Sequence, residues 1–421
     1  MSRNTGVNHG EPPLPLRGTE LPADGVAVRD IVRQCFERDE AIYPLGGRSG
    51  LSFGTRPARE GVGLSLAQLS KVVDFDPARR FVRVQAGVTI AQLGQVLREA
   101  QQRLPIDVPQ PAVATVGGSI AANANGPRRY ACRGWSATLQ SLQAVDGLGQ
   151  QISAQGPIGV FDFRRNWLGQ LLTGSLGCLA VITEVTLRTE PVPPRLAGLC
   201  CAPRDLQAAE ELLAALACLD HPPVAIELLC GGFWSHVEVL SREWDRATDL
   251  RLAVAFEGTD TEVAWAQQRL QADWAARGTA DCLTLDDTRT QDLIDQVVGF
   301  SAIDGDMRLL RASLLPAGVT RFIAEARNLD SRCSLQAHAG SGVVNVRLSE
   351  KVADPVPSGV MHRLRKAAAR TGGSVTPLTA VLAKADSKTM SEVGHAATWD
   401  LVRRLKSEFD PKHLLNPGRF L

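Results

Sequence analysis

The sequence contains nine cysteines in 421 residues, and none of them forms a Cys-x-x-Cys pair. Iron–sulfur clusters and zinc ribbons take their ligands from closely spaced cysteines, so this absence argues against either site within the chain. Most of the cysteines have apolar neighbours, as in Leu229-Cys230. We therefore expect small buried thiols in a reducing compartment.

An excess of charge and a long apolar run are also missing. The formal net charge is +1, which gives no basic surface for nucleic acid, and no apolar run is long enough to span a bilayer. The first residues lack the basic start and apolar core of a signal peptide. We expect a cytoplasmic protein with a disordered tail over residues 1–20. Any contact with the inner membrane would be peripheral and made through partners.

A glycine-rich turn over residues 44–54 reads PLGGRSGLSFG and follows a short apolar run that predicts a strand. Glycines let the backbone approach a ligand closely, and successive N–H groups in such a turn form an anion-binding concavity. The turn has neither the Gly-Lys-Ser/Thr ending of a Walker A loop nor a Gly-x-Gly-x-x-Gly that opens a helix. It predicts either another kind of pyrophosphate loop or a plain turn between strands.

A run of small residues over 114–126 reads ATVGGSIAANANG. Small side chains over such a length indicate that something bulky packs against the backbone. The alternative is tight packing of a helix against its neighbours.

Periodicity predicts helices at 26–38 and 90–100 and strands at 62–66, 72–75 and 81–86. Asp146-Gly147 indicates a hairpin, and the prolines of segment 191–194 mark a domain boundary. Beyond that boundary, predicted strands and helices alternate, which indicates a sheet with helices on one face. The Asn-Pro-Gly turn at 416–418 indicates that the C-terminus is tied down onto the first domain.

Five stretches, at 44–52, 84–88, 114–118, 172–184 and 409–419, together resemble the FAD-linked oxidases of the vanillyl-alcohol oxidase / p-cresol methylhydroxylase (PCMH) fold. The resemblance implies an α+β fold in which a PCMH-type FAD-binding domain of two subdomains covers residues 21–190. An α+β cap or substrate domain follows over 191–394, and a C-terminal segment over 395–421 packs back on the FAD-binding domain.

The same resemblance implies which residues contact FAD. The turn would cradle the pyrophosphate, the small residues would line the other side of the cofactor, and the C-terminus would return to the flavin. The implied cofactor-binding residues are Leu45, Gly46, Gly47, Arg48, Ser49, Gly50, Ser52, Ala114, Thr115, Gly117, Gly118, Ser119, Ile182 and Asn416. Members that bind FAD covalently often carry His where Arg48 stands, so the resemblance implies non-covalent FAD.

Within that family, residues 104–109, 126–129 and 416–419 look most like the FAD-binding subunit of glycolate oxidase. Such a subunit works beside a larger flavin subunit and an iron–sulfur subunit, in a complex that oxidises glycolate to glyoxylate. The resemblance therefore implies those two partners and a small 2-hydroxy acid as substrate.

Oxidation of a 2-hydroxy acid needs a hydride acceptor, a base for the hydroxyl proton and a cation for the carboxylate. Larger dehydrogenases of this family carry His-Ala-Gly-Asp-Gly-x-x-His, whereas residues 338–345 read HAGSGVVN, with Ser341 and Asn345 at two of those positions. We predict no metal site. His338 is the candidate base and Arg347 the candidate carboxylate partner. The structural alternatives are a packed histidine and a solvated strand arginine.

Other functions stay open at this point. The chain could be a stand-alone FAD oxidoreductase for another alcohol or hydroxy acid, a non-catalytic flavin-binding or electron-relay subunit, or a cell-wall precursor reductase of the same fold. The altered stretch at 338–345 favours the relay subunit. A basic cluster at Arg128, Arg129 and Arg133 could face substrate, a partner or solvent.

Overall fold

Two groups of sheets organise the chain, one on either side of the proline-rich segment 191–194. The computed structural model describes residues 14–55, 57–155, 167–216, 219–241, 249–279, 281–302, 308–353, 356–379 and 396–419.

The N-terminal sheet is parallel and contains β1 (Leu16–Glu20), β2 (Ala41–Leu45) and β3 (Gly61–Ser65), with β3 in the middle. Helix α1 (Gly25–Arg38) connects β1 to β2, and Asp24 caps it by accepting a hydrogen bond from Ala27 N at 2.8 Å. The disordered tail predicted for residues 1–20 is wrong for 16–20, because β1 pairs with β3 there. Residues 1–13 lie outside the described residues.

A five-stranded antiparallel sheet completes the N-terminal half. Along the chain the elements are β4 (Val72–Asp76), β5 (Phe81–Gln85), α2 (Ile90–Glu99), β6 (Gln102–Arg103), α3 (Val116–Ala121), α4 (Arg129–Cys132), α5 (Trp135–Thr138), β7 (Leu139–Asp146), β8 (Gln151–Gln155), α6 (Trp167–Leu172), β9 (Ala180–Arg188) and β10 (Glu190–Pro191). The sheet order is β4-β5-β9-β7-β8. Thr89 caps α2 through a capping box, and β7 and β8 form the hairpin predicted at Asp146.

One apolar core joins these two sheets. It includes Val32 from α1, Ile42 from β2, Trp135 from α5 and Leu142 from β7, all fully buried. The two subdomains predicted for this half therefore share their packing, which fixes the position of the loops between them.

The C-terminal half is built on one eight-stranded antiparallel sheet. Its elements are β11 (Arg195–Cys201), α7 (Leu206–Leu216), β12 (Ala225–Cys230), α8 (Glu238–Ser241), β13 (Leu250–Gly258), α9 (Asp260–Ala276), β14 (Cys282–Leu285), α10 (Asp287–Gly299), β15 (Leu309–Ser313), α11 (Val319–Leu329), β16 (Ser334–His338), β17 (Val343–Arg347), α12 (Ser358–Ala369) and β18 (Ser374–Pro377). The strand order is β14-β11-β13-β12-β16-β17-β15-β18.

Helices cover both faces of this sheet, so the prediction of helices on one face is wrong. Alternate residues of β13 divide between two cores: Phe256 packs with Leu270 and Trp274 of α9, whereas Ala253 packs with Leu293 of α10. Successive side chains of a strand point to opposite faces of the sheet, so both sets are buried only when helices pack on each face. The face that carries α10 also carries the polar residues discussed below.

The C-terminus returns to the N-terminal half, as predicted. After α13 (Ala396–Phe409), the backbone forms a parallel bridge beside β2: Ile42 N donates to Leu414 O and Asn416 N donates to Ile42 O, each at 2.8 Å. In the described part of the chain, no helix has the length and apolarity needed to cross a membrane.

Candidate functional site

A cleft that encloses about 1140 Å³ of space open to solvent lies between the glycine-rich turn and the small-residue run. Thirteen of the fourteen residues predicted to bind the cofactor line it: Leu45, Gly46, Gly47, Arg48, Ser49, Gly50, Ala114, Thr115, Gly117, Gly118, Ser119, Ile182 and Asn416. Ser52 is not among the lining residues. Phe53 N donates to Gly50 O at 3.1 Å, and this tight turn places Phe53 rather than Ser52 in the wall of the cleft.

The glycine-rich turn presents a row of backbone donors. Within the described residues, the N–H groups of Gly46 through Gly50 donate no hydrogen bond to the protein. Arg48 in the middle of the row has a φ of 62°, a left-handed conformation that lets neighbouring amides converge on one anion. The oxygens of a diphosphate are suitable acceptors for such a row.

Two glycines of this turn are required by packing. A Cβ atom on Gly47 would lie 1.5 Å from the carbonyl oxygen of Val113, and one on Gly46 would lie 2.3 Å from Thr115 Oγ1. The turn therefore lies directly against the start of the small-residue run, and the two walls of the cleft meet at these glycines.

The small-residue run packs tightly against its neighbours and also lines the cleft. Its helix α3, capped by Thr115, packs so closely on β5 that a Cβ atom on Gly117 would lie 2.6 Å from Ala86 Cβ. On the side that faces the cleft, Ser119 Oγ is buried without a hydrogen-bond partner among the described residues. A bound group can supply that partner, because buried hydroxyls are normally hydrogen-bonded.

Strand β9 is irregular where it passes the cleft. Gln143 pairs with Glu184 and Ala144 with Ile182, so Thr183 is an extra residue on β9. Such a bulge bends a strand and redirects its neighbours, and residues 180–182 line the cleft here.

Asn416 closes the cleft from the C-terminus. Its Nδ2 donates to Leu176 O at 2.7 Å, and its backbone has a φ of 46°. Asparagine tolerates this left-handed conformation better than most residues. The position of Asn416 therefore depends on both the C-terminal turn and the loop at 173–178.

A second pocket of about 790 Å³, also open to solvent, continues from the cleft toward the C-terminal sheet. Phe53 and Arg419 line both spaces. From the C-terminal half, the second pocket is lined by Arg311, Thr376 and Leu378. A small substrate in this pocket would meet a cofactor that lies in the cleft.

Arg311 brings a positive charge to the second pocket. Its Nε donates to Asn345 Oδ1 at 3.1 Å, and no carboxylate of the described residues pairs with it. Burial, and secondarily the charge of Arg129, lowers the pKa of Arg311 to about 10, so the guanidinium is still cationic at neutral pH. A largely desolvated cation without a counter-ion is unfavourable, and the carboxylate of a ligand would supply the missing anion.

His338 lies behind Arg311 and lines neither space. Its side chain is 6% exposed, with Nδ1 at 2.6 Å from Glu227 Oε1 and Nε2 at 3.3 Å from Gln336 Nε2. The predicted role as base is not supported by this position, because both ring nitrogens already have partners inside the core. In the described residues, no three His, Cys, Asp or Glu side chains group as metal ligands would.

Arg347 also lies away from the second pocket. It pairs with Ser334, at the end of the β16–β17 ladder opposite to His338. Its guanidinium donates to the carbonyl oxygens of Phe300 and Ala302 and lies 4.4 Å from the Phe300 ring centroid. Since Ala302 lines the cleft, Arg347 supports the wall of the cleft, and it is neither the predicted carboxylate partner nor a solvated side chain.

The sequence-based reasoning missed Arg311 and Arg419. Arg311 shares the mostly apolar segment 307–314 with a second arginine, Arg308, so the local pattern alone did not single it out. Arg419 belongs to the Asn-Pro-Gly-Arg ending, and its guanidinium donates to the carbonyl oxygens of Leu51 and Phe53. It thereby fixes the segment that follows the glycine-rich turn.

The predicted basic cluster divides by role. Arg128 pairs with Asp107 at 2.6 Å and with Glu257 of β13 at 2.8 Å, so it joins the two halves of the molecule. Arg129 is partly buried and lies close enough to Arg311 to affect its pKa. Arg133 ends α4 in a left-handed conformation.

Comparison with protein families gives two matches. Residues 18–155 match the family described as FAD binding domain, and residues 197–420 match the family described as FAD linked oxidases, C-terminal domain. The two matched segments cover the two groups of sheets.

Several curated proteins are similar to the chain. A D-lactate dehydrogenase of Archaeoglobus fulgidus is 27% identical over 414 residues, which are 94% of this chain and 90% of that protein. A D-2-hydroxyglutarate dehydrogenase of Xanthomonas citri pv. viticola is 35% identical over 190 residues, which are 43% of this chain and only 38% of that protein.

Solved structures share the fold. p-Cresol methylhydroxylase superposes with a TM-score of 0.73 at 16% identity, covering 95% of this chain and 88% of that one. Alkyldihydroxyacetonephosphate synthase gives a TM-score of 0.69 at 16% identity, covering 95% of this chain and 76% of that one. At these identities the likeness shows a common architecture and nothing about substrates.

Proposed function

The chain belongs to the family of FAD-linked oxidases, and from this premise we propose that it oxidises the C2 hydroxyl group of a D-2-hydroxy acid to the 2-oxo acid. It is an FAD-dependent oxidoreductase that acts on CH–OH groups. FAD, when bound, accepts the hydride from C2. The protein must then bind the acid, orient C2 toward the cofactor and exclude water.

The cleft fits FAD on grounds of its own chemistry. The free N–H groups of the glycine-rich turn suit the diphosphate, and Ser119 Oγ offers a buried polar atom that lacks a partner in the described protein. The small residues of α3 leave room for a flat ring system, and Asn416 borders the same space. Arg48 stands where a histidyl link would need His, which supports a non-covalent complex.

The proposed substrate class rests on the position of Arg311 in the second pocket. A guanidinium presents parallel N–H donors that match the two oxygens of a carboxylate. Here one such group lines the pocket beside the cleft, is cationic at neutral pH and has no carboxylate partner among the described residues. A 2-hydroxy acid bound at Arg311 would keep C2, one bond from its carboxylate, in the space between Arg311 and the cleft.

The relatives support the same class. One protein that is similar over 94% of the chain is named a D-lactate dehydrogenase, and one that is similar over 43% of the chain is named a D-2-hydroxyglutarate dehydrogenase. Both names describe D-2-hydroxy acids, with one and two carboxylates. The described pocket lining contains the Thr376 hydroxyl and no histidine or carboxylate, so it would orient the substrate hydroxyl rather than take its proton.

The proposal extends to glycolate as a substrate and to a larger flavin subunit and an iron–sulfur subunit as partners, on the sequence resemblance alone. An electron-relay subunit is the second candidate, favoured by Asn345 and Ser341 in place of the histidine and aspartate of larger dehydrogenases. Bleaching of the flavin by an acid in the isolated chain separates catalysis from relay.

The test is anaerobic mixing of the FAD-loaded chain with D-lactate, L-lactate, D-2-hydroxyglutarate and glycolate, while flavin absorbance is followed. We expect one acid to bleach the flavin. Because a charged hydrogen bond is worth about 1.5–3 kcal/mol, Arg311→Met should lower the second-order rate of bleaching about 100-fold and Arg311→Lys about tenfold. Arg321→Met, on the exposed side of α11, is the matched control and should not change the rate.

Two results would contradict the proposal. An oxidised flavin with every acid, in a chain that binds FAD, would favour the relay subunit. Bleaching by an acid at the same rate in Arg311→Met and in the unchanged chain would keep the activity but remove Arg311 from the substrate site.

A further inference from the structure

A chain of side-chain hydrogen bonds runs from Arg311 into the C-terminal sheet. Arg311 Nε donates to Asn345 Oδ1 at 3.1 Å, and Asn345 Nδ2 donates to Gln336 Oε1 at 2.9 Å. These residues are direct neighbours across three adjacent strands, because Asn345 on β17 pairs with Arg311 on β15 and with Gln336 on β16. The series of hydrogen bonds therefore crosses the sheet at right angles to its strands.

This hydrogen-bond network ends at a buried acidic side chain, Glu227. Gln336 Nε2 lies 3.4 Å from Glu227 Oε2 and 3.3 Å from His338 Nε2, and His338 Nδ1 lies 2.6 Å from Glu227 Oε1. An amide nitrogen only donates, so His338 Nε2 must be the acceptor and the ring proton must be on Nδ1, where it is donated to Glu227. These contacts place the ring proton of His338 on Nδ1.

All the links point the same way, from a cationic donor to a carboxylate acceptor. Asn345 and Gln336 are each 1% exposed, so water cannot replace a lost partner. Rotating the Asn345 amide by half a turn would put its NH₂ group against the guanidinium and its oxygen against the oxygen of Gln336. Leaving buried polar groups unpaired in this way is unfavourable, so the amides have one favourable orientation.

We infer that Asn345 and Gln336 are positioning residues, which hold the Arg311 guanidinium in the orientation that receives the substrate carboxylate. This rests on the proposed function of Arg311. Because Asn345 occupies Nε, the two Nη groups are the donors left for a ligand, and Arg311 has no other partner in the described residues. Glu227, on β12, supplies the buried carboxyl group at the far end of this hydrogen-bond network; in the sheet, β16 and β17 lie between β12 and β15.

The inference predicts that Asn345 acts through Arg311 and not independently of it. The experiment measures binding of oxalate to the FAD-loaded chain by titration calorimetry, since oxalate has two carboxylates but no C–H bond to oxidise. Asn345→Leu should weaken oxalate binding about tenfold, and Arg311→Met should abolish most of it. The double variant should bind no worse than Arg311→Met alone, because the two effects share one mechanism.

Two further variants keep the test decisive. Asn345→Asp preserves the shape of the side chain and pairs directly with Arg311, so it should remove oxalate binding even where Asn345→Leu fails to fold. Thr320→Val is the control: it breaks a 3.0 Å hydrogen bond to Glu210 at a buried position on α11, outside the site. It should lower stability by a similar amount without changing the affinity for oxalate or the FAD content.

The outcomes separate the inference from the proposed function. Weak binding in Arg311→Met together with normal binding in Asn345→Leu and Asn345→Asp would overturn the positioning role and leave Arg311 as the carboxylate site. Additive losses in the double variant would overturn it as well. Normal binding in Arg311→Met would overturn both.

Discussion

His338 uses both ring nitrogens inside the core, where Nδ1 donates to Glu227 and Nε2 accepts from Gln336. A general base needs a free nitrogen within reach of the substrate hydroxyl, and this arrangement provides none. The histidine that carried the resemblance to larger dehydrogenases is therefore a packed residue in this chain. Its partner Glu227 has its pKa raised by burial, although the hydrogen bond from His338 opposes that shift.

Whether His338 is a general base or a packed residue can be tested with His338→Gln, because glutamine can still donate a hydrogen bond to Glu227. We expect the rate of flavin reduction by the acid substrate to stay within about threefold and the melting temperature to fall, because the substitution changes only core hydrogen bonds. Stopped-flow absorbance of the FAD-loaded variant measures the rate. A loss of 100-fold or more at full FAD content would return His338 to the role of base, because removal of a general base costs about 10²–10⁴-fold.

At the scale of elements, the C-terminal segment is held by one buried lysine. Lys406 Nζ on α13 donates to Asp410 Oδ2 and Cys178 O at 2.6 Å each and to Leu415 O at 3.0 Å. Asp410 in turn accepts from the backbone N–H groups of Leu414 and Leu415. This network joins α13, the terminal turn and the loop before β9, so it sets where Asn416 meets the cleft.

Lys406→Met should lower the free energy of unfolding by about 3–5 kcal/mol, because it leaves the carboxylate of Asp410 buried without its cation. Urea denaturation followed by tryptophan fluorescence measures the loss, and the same variant should bind FAD more weakly. Lys412→Met is the matched control on the same segment: its Nζ reaches Phe36 O at 2.7 Å from an exposed position, and we expect less than about 1 kcal/mol. Equal losses in the two variants would contradict a special role for Lys406.

At the scale of the whole molecule, an ion-pair network joins the two halves. Glu257 on β13 accepts from Arg103 Nη1 at 2.7 Å and from Arg128 Nε at 2.8 Å, and both arginines belong to the N-terminal half. Burial by itself would raise the pKa of Glu257, but the hydrogen bond from Arg103 and the charge of Arg128 outweigh burial and lower it. The network helps to hold the second pocket, which is lined from both halves.

A carboxyl group with a lowered pKa in the folded state contributes stability above its ordinary pKa and loses that contribution as the pH falls through its folded-state value. Glu257→Gln should therefore lower the free energy of unfolding by about 2–3 kcal/mol at pH 7, and the difference from the unchanged chain should shrink steadily below about pH 4. Urea denaturation at several pH values measures it. A difference independent of pH would mean that shape rather than charge matters at this position.

The cofactor cleft was largely predictable because its residues are consecutive in the chain. The turn at 44–50 and the run at 114–119 line the cleft with backbone groups and small side chains, and such stretches are recognisable from their glycines and order. Ser52 does not line the cleft, because one residue of turn geometry decides which side chain enters it. The strand at 16–20 was missed because its polar sequence, LRGTE, pairs through its backbone.

The substrate pocket could not be predicted in the same way. Arg311, Asn345 and Gln336 belong to three strands and become neighbours only through the register of the sheet. His338 and Arg347 were predicted as base and carboxylate partner from their residue types. In the structure, His338 is hydrogen-bonded to Glu227, and Arg347 donates to the carbonyl oxygen of Phe300.

The sequence by itself determined the α+β class, the glycine-rich turn and the small-residue run, because local backbone chemistry depends on residues close together along the chain. Its Asn-Pro-Gly turn also indicated that the C-terminus packs onto the N-terminal half. Only the tertiary structure decided that Arg311 lines the second pocket without a carboxylate partner among the described residues, that helices cover both faces of the large sheet, and that Glu257 links the two halves. Burial and charge pairing depend on residues distant in sequence, and only the folded chain brings those residues together.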